Sequence, residues 1–178
     1  MRTAHPWVSL ALGAEASFVA RTIDMDRQLT IEVLRRAYQH RGSAFIEIYQ
    51  NCNVFNDGAW FHVTDKEHQA DNVLFLEQGR PMVFGAARDK GIRARGLDVE
   101  VVTLGEGGVT EADLLVHDPS GYSAQGYLLS RMAFPSFPVP LGVFRNIDRP
   151  TYEAQVIAQN DAARAEKGAG SLRDLLFA

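Results

Sequence analysis

A single thiol sets the limits of the chemistry this chain can do. Cys52 is the only cysteine in 178 residues, and it stands in the polar run Gln50–Gly58, directly after the apolar segment Ala44–Tyr49. A thiolate is a nucleophile or a metal ligand, whereas a cysteine buried among apolar groups is a small, inert hydrophobe. Asn51, Asn53 and Asn56 surround Cys52 with polar groups and argue against the packed role. One cysteine cannot by itself hold zinc or an iron–sulfur cluster, each of which takes about four ligands. His62 and His68 lie near Asp65 and Glu67 but at no spacing that demands a metal, so they read as loop histidines. Gly105-Glu-Gly-Gly108 lacks both the Lys-Ser/Thr of a nucleotide loop and the glycine spacing of a dinucleotide fold, and reads as a turn. The Arg35-Arg36 pair reads as a solvated helix end.

The elements that must position the thiol begin upstream. Ala44, Phe45, Ile46, Ile48 and Tyr49 are apolar, interrupted only by Glu47. Such a run predicts a strand covered on both faces, as in a parallel sheet. Ligands of open α/β sheets sit beyond the carboxyl ends of strands, which is where Cys52 falls. Val8–Ala16 predicts a short helix and Ser17–Thr22 a strand centred on Phe18 and Val19. Asp24 and Asp26 suit the N-terminus of a helix, and Leu29, Ile31, Val33, Leu34, Ala37 and Tyr38 give its apolar spacing. Arg35, Arg36, His40 and Arg41 load its C-terminal end, and Gly42 stops it. Strand, helix and strand make a β-α-β unit with parallel strands. Two strands do not complete a doubly wound sheet, so residues 1–58 read as the tail of a larger α/β domain.

Downstream, Val73–Leu76 and Pro81–Ala86 flank Glu77-Gln-Gly-Arg80 and predict a β-hairpin. Asp89–Gly96 is basic and expected to be exposed, and Val99–Leu104 predicts another strand. Tyr122–Met132 predicts a helix with Tyr127, Leu128 and Leu129 facing inward. Phe134–Leu141 carries three prolines and predicts an extended arm with aromatic anchors, because proline lacks an N–H and restricts its predecessor. Thr151 caps a predicted helix to about Glu166, and a last short helix covers Leu172–Phe177.

Composition narrows the class. Hydrophobic residues make up 46% of the chain, enough for a core. The net charge of -4 and pI near 5.7 give no footprint for nucleic acid. A single cysteine favours a reducing compartment. No apolar run approaches the roughly 18 residues of a membrane span, and Met1–Trp7 lacks the apolar core of a secretory signal. The expectation is a soluble cytoplasmic protein.

Several stretches carry a family resemblance. Leu10–Arg21, Ala44–Asn56, His117-Asp-Pro119, Phe137-Pro-Val-Pro-Leu-Gly-Val-Phe-Arg145 and Arg149-Pro-Thr-Tyr152 resemble, in order, the C-terminal half of the β subunit of 2-oxoacid:ferredoxin oxidoreductases, especially the 2-oxoglutarate branch. The resemblance implies a thiamine-diphosphate-binding α/β fold. Residues 1–58 would be the tail of that domain, 59–109 a connecting region, and 110–178 a C-terminal extension with a Pro-rich, subunit-contacting arm. It implies thiamine diphosphate, Mg²⁺ and a [4Fe-4S] cluster as cofactors, with Cys52 matching one cluster ligand. It also implies an α (or γα) subunit, an N-terminal β-subunit half, ferredoxin, a 2-oxoacid and coenzyme A as partners. The family's Gly-Asp-Gly motif and its other cysteines are absent here, and Asn51 replaces the usual Pro before the cysteine. The chain alone is therefore expected to be inactive, a truncation or one piece of a split subunit. The rival expectation is a non-catalytic binding or assembly module in which Cys52 is structural.

Overall fold

Two sheets organise the computed structural model, which describes residues 7–121 and 123–177. The larger has four strands in the order β2 (Ala44–Tyr49), β1 (Phe18–Ile23), β7 (Val139–Asn146) and β3 (Val73–Leu76). The β1–β2 pair is parallel, as the β-α-β reading requires. Its crossover is helix α2 (Arg27–Gln39), capped by the Asp26 carboxylate accepting from the Leu29 N–H at 2.9 Å. Leu29, Val33 and Ala37 of α2 cover Phe18, Ala20, Ile46 and Val143 on one face of the sheet. Helices α1 (Trp7–Gly13) and α5 (Ser123–Arg131) cover the other, packing Val8, Leu12 and Leu129 with Val19 and Phe144. The architecture is thus mixed α/β, a largely parallel sheet with flanking helices.

The Pro-rich run is the chief departure from the sequence reading. Residues 139–146 do not reach outward as an arm. They form β7, inside the sheet, parallel to β3 and antiparallel to β1. Prolines are normally confined to sheet edges because they cannot donate to the ladder. Here the Pro140 carbonyl lies 3.5 Å from Arg21 Nη1, so Pro140 faces the β1 side. Pairing with β1 runs only from Gly142 to Asn146, so the missing N–H of Pro140 costs no ladder bond. The register slips by one residue at Phe144, a bulge, and Phe144 is only 2% exposed. Gly142 has φ +125° and lies so close to β3 that a Cβ there would sit 3.0 Å from Leu76 Cβ.

Three further expectations are corrected. Val73–Leu76 and Pro81–Ala86 do not pair as a hairpin. Gly79 N–H donates to His117 O and Met82 N–H to Leu115 O, so the 115–117 segment takes the bonds a hairpin would have used. The second strand, β4 (Val83–Phe84), joins a separate antiparallel sheet with β5 (Lys90–Arg95) and β6 (Asp98–Thr103). The basic segment, expected to be exposed, is β5 and is exposed only at its far end, Ala94–Arg95. Ile92 is buried within it, and Lys90 and Arg93 pair with Asp71 and Glu100. Tyr127 points outward from α5, while Leu129 faces in. The predicted 105–108 turn, the Thr151-capped helix α6 (Tyr152–Lys167) and the short helix α7 (Leu172–Leu176) all appear. No described helix is long and apolar enough to cross a membrane.

Candidate functional site

Strand β2 delivers the chain to the thiol over a rigid base. Tyr49, its last residue, stacks on Trp60 with ring centroids 3.7 Å apart and planes within 9°. On its inner side Tyr49 meets the guanidinium of Arg21, 5.1 Å from the ring centroid, and Arg21 Nε donates to Glu47 Oε2 at 2.6 Å. Arg21 and Glu47 are both shielded, so this is a buried ion pair held between the Tyr49 and Phe144 rings. Burial pushes the Tyr49 phenol up to about 12, with Arg21 opposing and Glu47 adding to the shift.

Beyond Tyr49 the loop closes on Asn51. Its Nδ2 donates to Asn53 Oδ1 at 2.7 Å and to Asp57 Oδ1 at 3.0 Å, while its Oδ1 accepts from Gly58 N–H at 2.9 Å. Asn56 N–H donates to the Cys52 carbonyl at 2.8 Å, and Gly58 takes the left-handed conformation (φ +69°) that ends the turn. The loop therefore closes on itself between Cys52 and Asn56. The backbone amides of Phe55 and Val54, and to a lesser degree that of Asn56, hold Cys52 below the usual thiol range, against the opposing effects of burial and Asp57. Amides aimed at a sulfur favour the thiolate, the form that binds metal or attacks an electrophile.

The other sequence candidates do not gather there. His62 stacks on Phe134 at 4.5 Å, and burial lowers its pKa. His68 Nδ1 lies 3.3 Å from Asp65 Oδ2 at the surface. Among the described residues no group of three His, Cys, Asp or Glu side chains is arranged for a metal ion. A single thiol could supply at most one ligand to an iron–sulfur cluster, and among the described residues no acidic cluster suited to Mg²⁺ and a diphosphate is found. The Asn51 clamp was missed from sequence. Its signal was present, since Asn-x-Asn and Asn-Asp-Gly are turn-forming patterns in which side chains bond nearby backbone.

No protein-family model matches the chain. Its sequence is 42% identical, over 97% of its length, to the 2-oxoglutarate oxidoreductase subunit KorB of Mycobacterium tuberculosis. The chain is similar to the C-terminal part of KorB. That observation bears out the resemblance read from Leu10–Arg21 through Arg149–Tyr152. The chain spans 47% of KorB, less than half of that relative. Among solved structures, 2-oxoglutarate:ferredoxin oxidoreductase from Magnetococcus marinus, with 2-oxoglutarate, coenzyme A and succinyl-CoA bound, aligns with 96% of this chain and 42% of its own, at a TM-score of 0.56. At 16% identity that likeness speaks to the fold alone.

Proposed function

We propose that the chain is the C-terminal portion of a β subunit of a 2-oxoacid:ferredoxin oxidoreductase of the 2-oxoglutarate type. In this role it completes an enzyme that converts a 2-oxoacid to its acyl-CoA and passes electrons to ferredoxin. The observation that carries the reading is the lone thiol in the Asn51-clamped loop at the end of β2, in a chain 42% identical to a KorB subunit. Cys52 would give one thiolate to a [4Fe-4S] cluster whose other ligands lie outside this chain. Bound thiamine diphosphate with Mg²⁺ would supply the nucleophilic carbon for decarboxylation, and the cluster a one-electron outlet. This chain's own part is positional. The Tyr49–Trp60 stack fixes the base of the loop, Asn51 holds its shape, and the amides of residues 54–56 stabilise negative charge on sulfur. Residues 1–58 serve as the tail of the cofactor-binding domain, 59–109 as a connecting region and 110–178 as the extension that meets the α (or γα) subunit.

The rival reading is a non-catalytic assembly module, favoured by the absence of Gly-Asp-Gly and of a second cysteine from the 178 residues. Reconstitution separates the two. The chain is combined with an N-terminal β-subunit half and the α subunit, and iron content and CoA-dependent dye reduction by 2-oxoglutarate are recorded. About four irons per β unit with turnover, both reduced by Cys52→Ser, is the expected result. Stable assembly without iron or turnover would establish the module reading, and a Cys52→Ser variant with full iron and rate would remove Cys52 from the cluster.

A further inference from the structure

Around the three-stranded sheet some charges are paired and others are left over. Lys90 Nζ donates to Asp71 Oδ1 at 2.8 Å, and Arg93 Nη2 to Glu100 Oε1 at 2.6 Å. Asp113, on the helical turn Glu111–Asp113, accepts from the Thr110 N–H at 2.8 Å and from the Thr110 hydroxyl at 2.9 Å. Glu77, Arg80, Arg88 and Glu111 are different. They line one hollow of about 470 Å³ beside the outer strand β3, together with Phe75 and Val83. Among the described residues none of these four charged side chains has a hydrogen-bond or ion-pair partner.

Arg88 is held there against its own backbone preference. Its φ is +53°, in the left-handed region that favours glycine. Three backbone bonds fix the turn that imposes this. The Arg88 N–H donates to Gly85 O and the Gly85 N–H to Ala70 O, both at 2.9 Å, and the Leu104 N–H donates to Asp89 O at 2.7 Å. A glycine would occupy position 88 without strain. Arginine brings instead a side chain that enters the lining of the hollow. Residues held in sparsely populated backbone regions cluster at ligand clamps and active sites.

We propose that this hollow binds a free α-amino acid with an apolar side chain. A guanidinium presents a planar fork of donors that matches a carboxylate, so Arg80 and Arg88 take the α-carboxylate. Glu77 and Glu111 take the α-ammonium, and Phe75 and Val83 the side chain. The volume falls within the range of small-ligand sites, about 300–1,000 Å³. Two cations and two anions give the site no net charge, which suits a zwitterion. A phosphate or a dicarboxylate would be drawn by the arginines and repelled by the glutamates. In the four-stranded sheet β3 is the outer strand opposite β2, so the hollow lies away from the strand that leads to Cys52. The inference goes beyond the subunit reading and does not depend on it.

The test is calorimetric titration of the full chain with leucine and with phenylalanine. The controls are 4-methylpentanoate, which is leucine without its ammonium, and 3-methylbutylamine, which is leucine without its carboxylate. At least one amino acid should saturate a single site, and leucine should bind at least about tenfold more tightly than either control. Arg88→Gly removes the guanidinium and the backbone strain together. Its melting temperature should hold or rise while affinity falls at least about tenfold. Arg80→Gln, at a position without such strain, should show the same loss of affinity. Glu111→Gln should narrow the preference for leucine over 4-methylpentanoate. No saturable binding of either amino acid overturns the proposal, as does affinity left intact by Arg88→Gly and Arg80→Gln. Equal binding of leucine and 4-methylpentanoate overturns it too, because the hollow would then be a site for simple anions.

Discussion

β7 and β2 belong to one sheet and are both dominated by apolar residues, yet they meet opposite environments. β7 carries two features that usually mark a segment as peripheral, a proline within the strand and a glycine at positive φ. It is nonetheless buried along almost its whole length, with a neighbour on either side. β2 carries none of these and ends half-exposed at the edge. The difference teaches that burial follows from which strands flank a segment. Among the described residues β7 finds β1 and β3, whereas β2 is offered only β1.

Substitutions can sharpen or break that contrast. Phe144→Ala, at the bulge of β7, should destabilise the chain by about 3–5 kcal/mol, read from denaturant midpoints. A loss under about 1 kcal/mol there would mean that β7 is not part of the core. Glu47→Ala comes next. It leaves Arg21 buried without its carboxylate and should cost roughly 3 kcal/mol; replacing Glu47 and Arg21 together by apolar residues should recover much of that loss.

A pH series probes the same junction from the Tyr49 side. The unfolded chain releases its phenolic proton near the ordinary value of about 10, while the folded chain keeps it to about 12. The folded state therefore binds more protons between those values. Stability should fall as pH rises from about 10 to 12, by up to about 1.4 kcal/mol per unit, and Tyr49→Phe should flatten the decline. An equal slope in both proteins would mean that Tyr49 is not held neutral. The smallest effect belongs to the edge. Ile48→Ala should change the isolated chain by less than about 1 kcal/mol, and a larger cost would show that the edge is already covered.

Legibility in the sequence divides along the same line. The β1–α2–β2 unit could be read because local signals agree with the outcome: Asp26 caps, the 29–33–37 spacing packs, and Gly42 precedes the next strand. β7 could not be read, because Pro140 breaks a strand only if its N–H is needed, and that depends on where pairing with β1 stops. The 79–82 segment was misread for a similar reason, its partners lying at 115–117 and not in the neighbouring strand. At the site, Cys52 and its strand-end position were visible. The amides that lower its pKa were not, since they depend on how Asn51 folds residues 53–58.

The position of β7 also governs the order in which the molecule can be made. Once residues 18–49 have left the ribosome β1, α2 and β2 are all present, but the second edge of β1 is filled only by Gly142–Asn146. The Arg21–Pro140 contact alone spans 119 residues. Contacts of such sequence separation form late and slowly, and an unfilled strand edge is open to wrong partners while it waits. During synthesis β1 therefore keeps one edge open until the late arrival of β7 closes it.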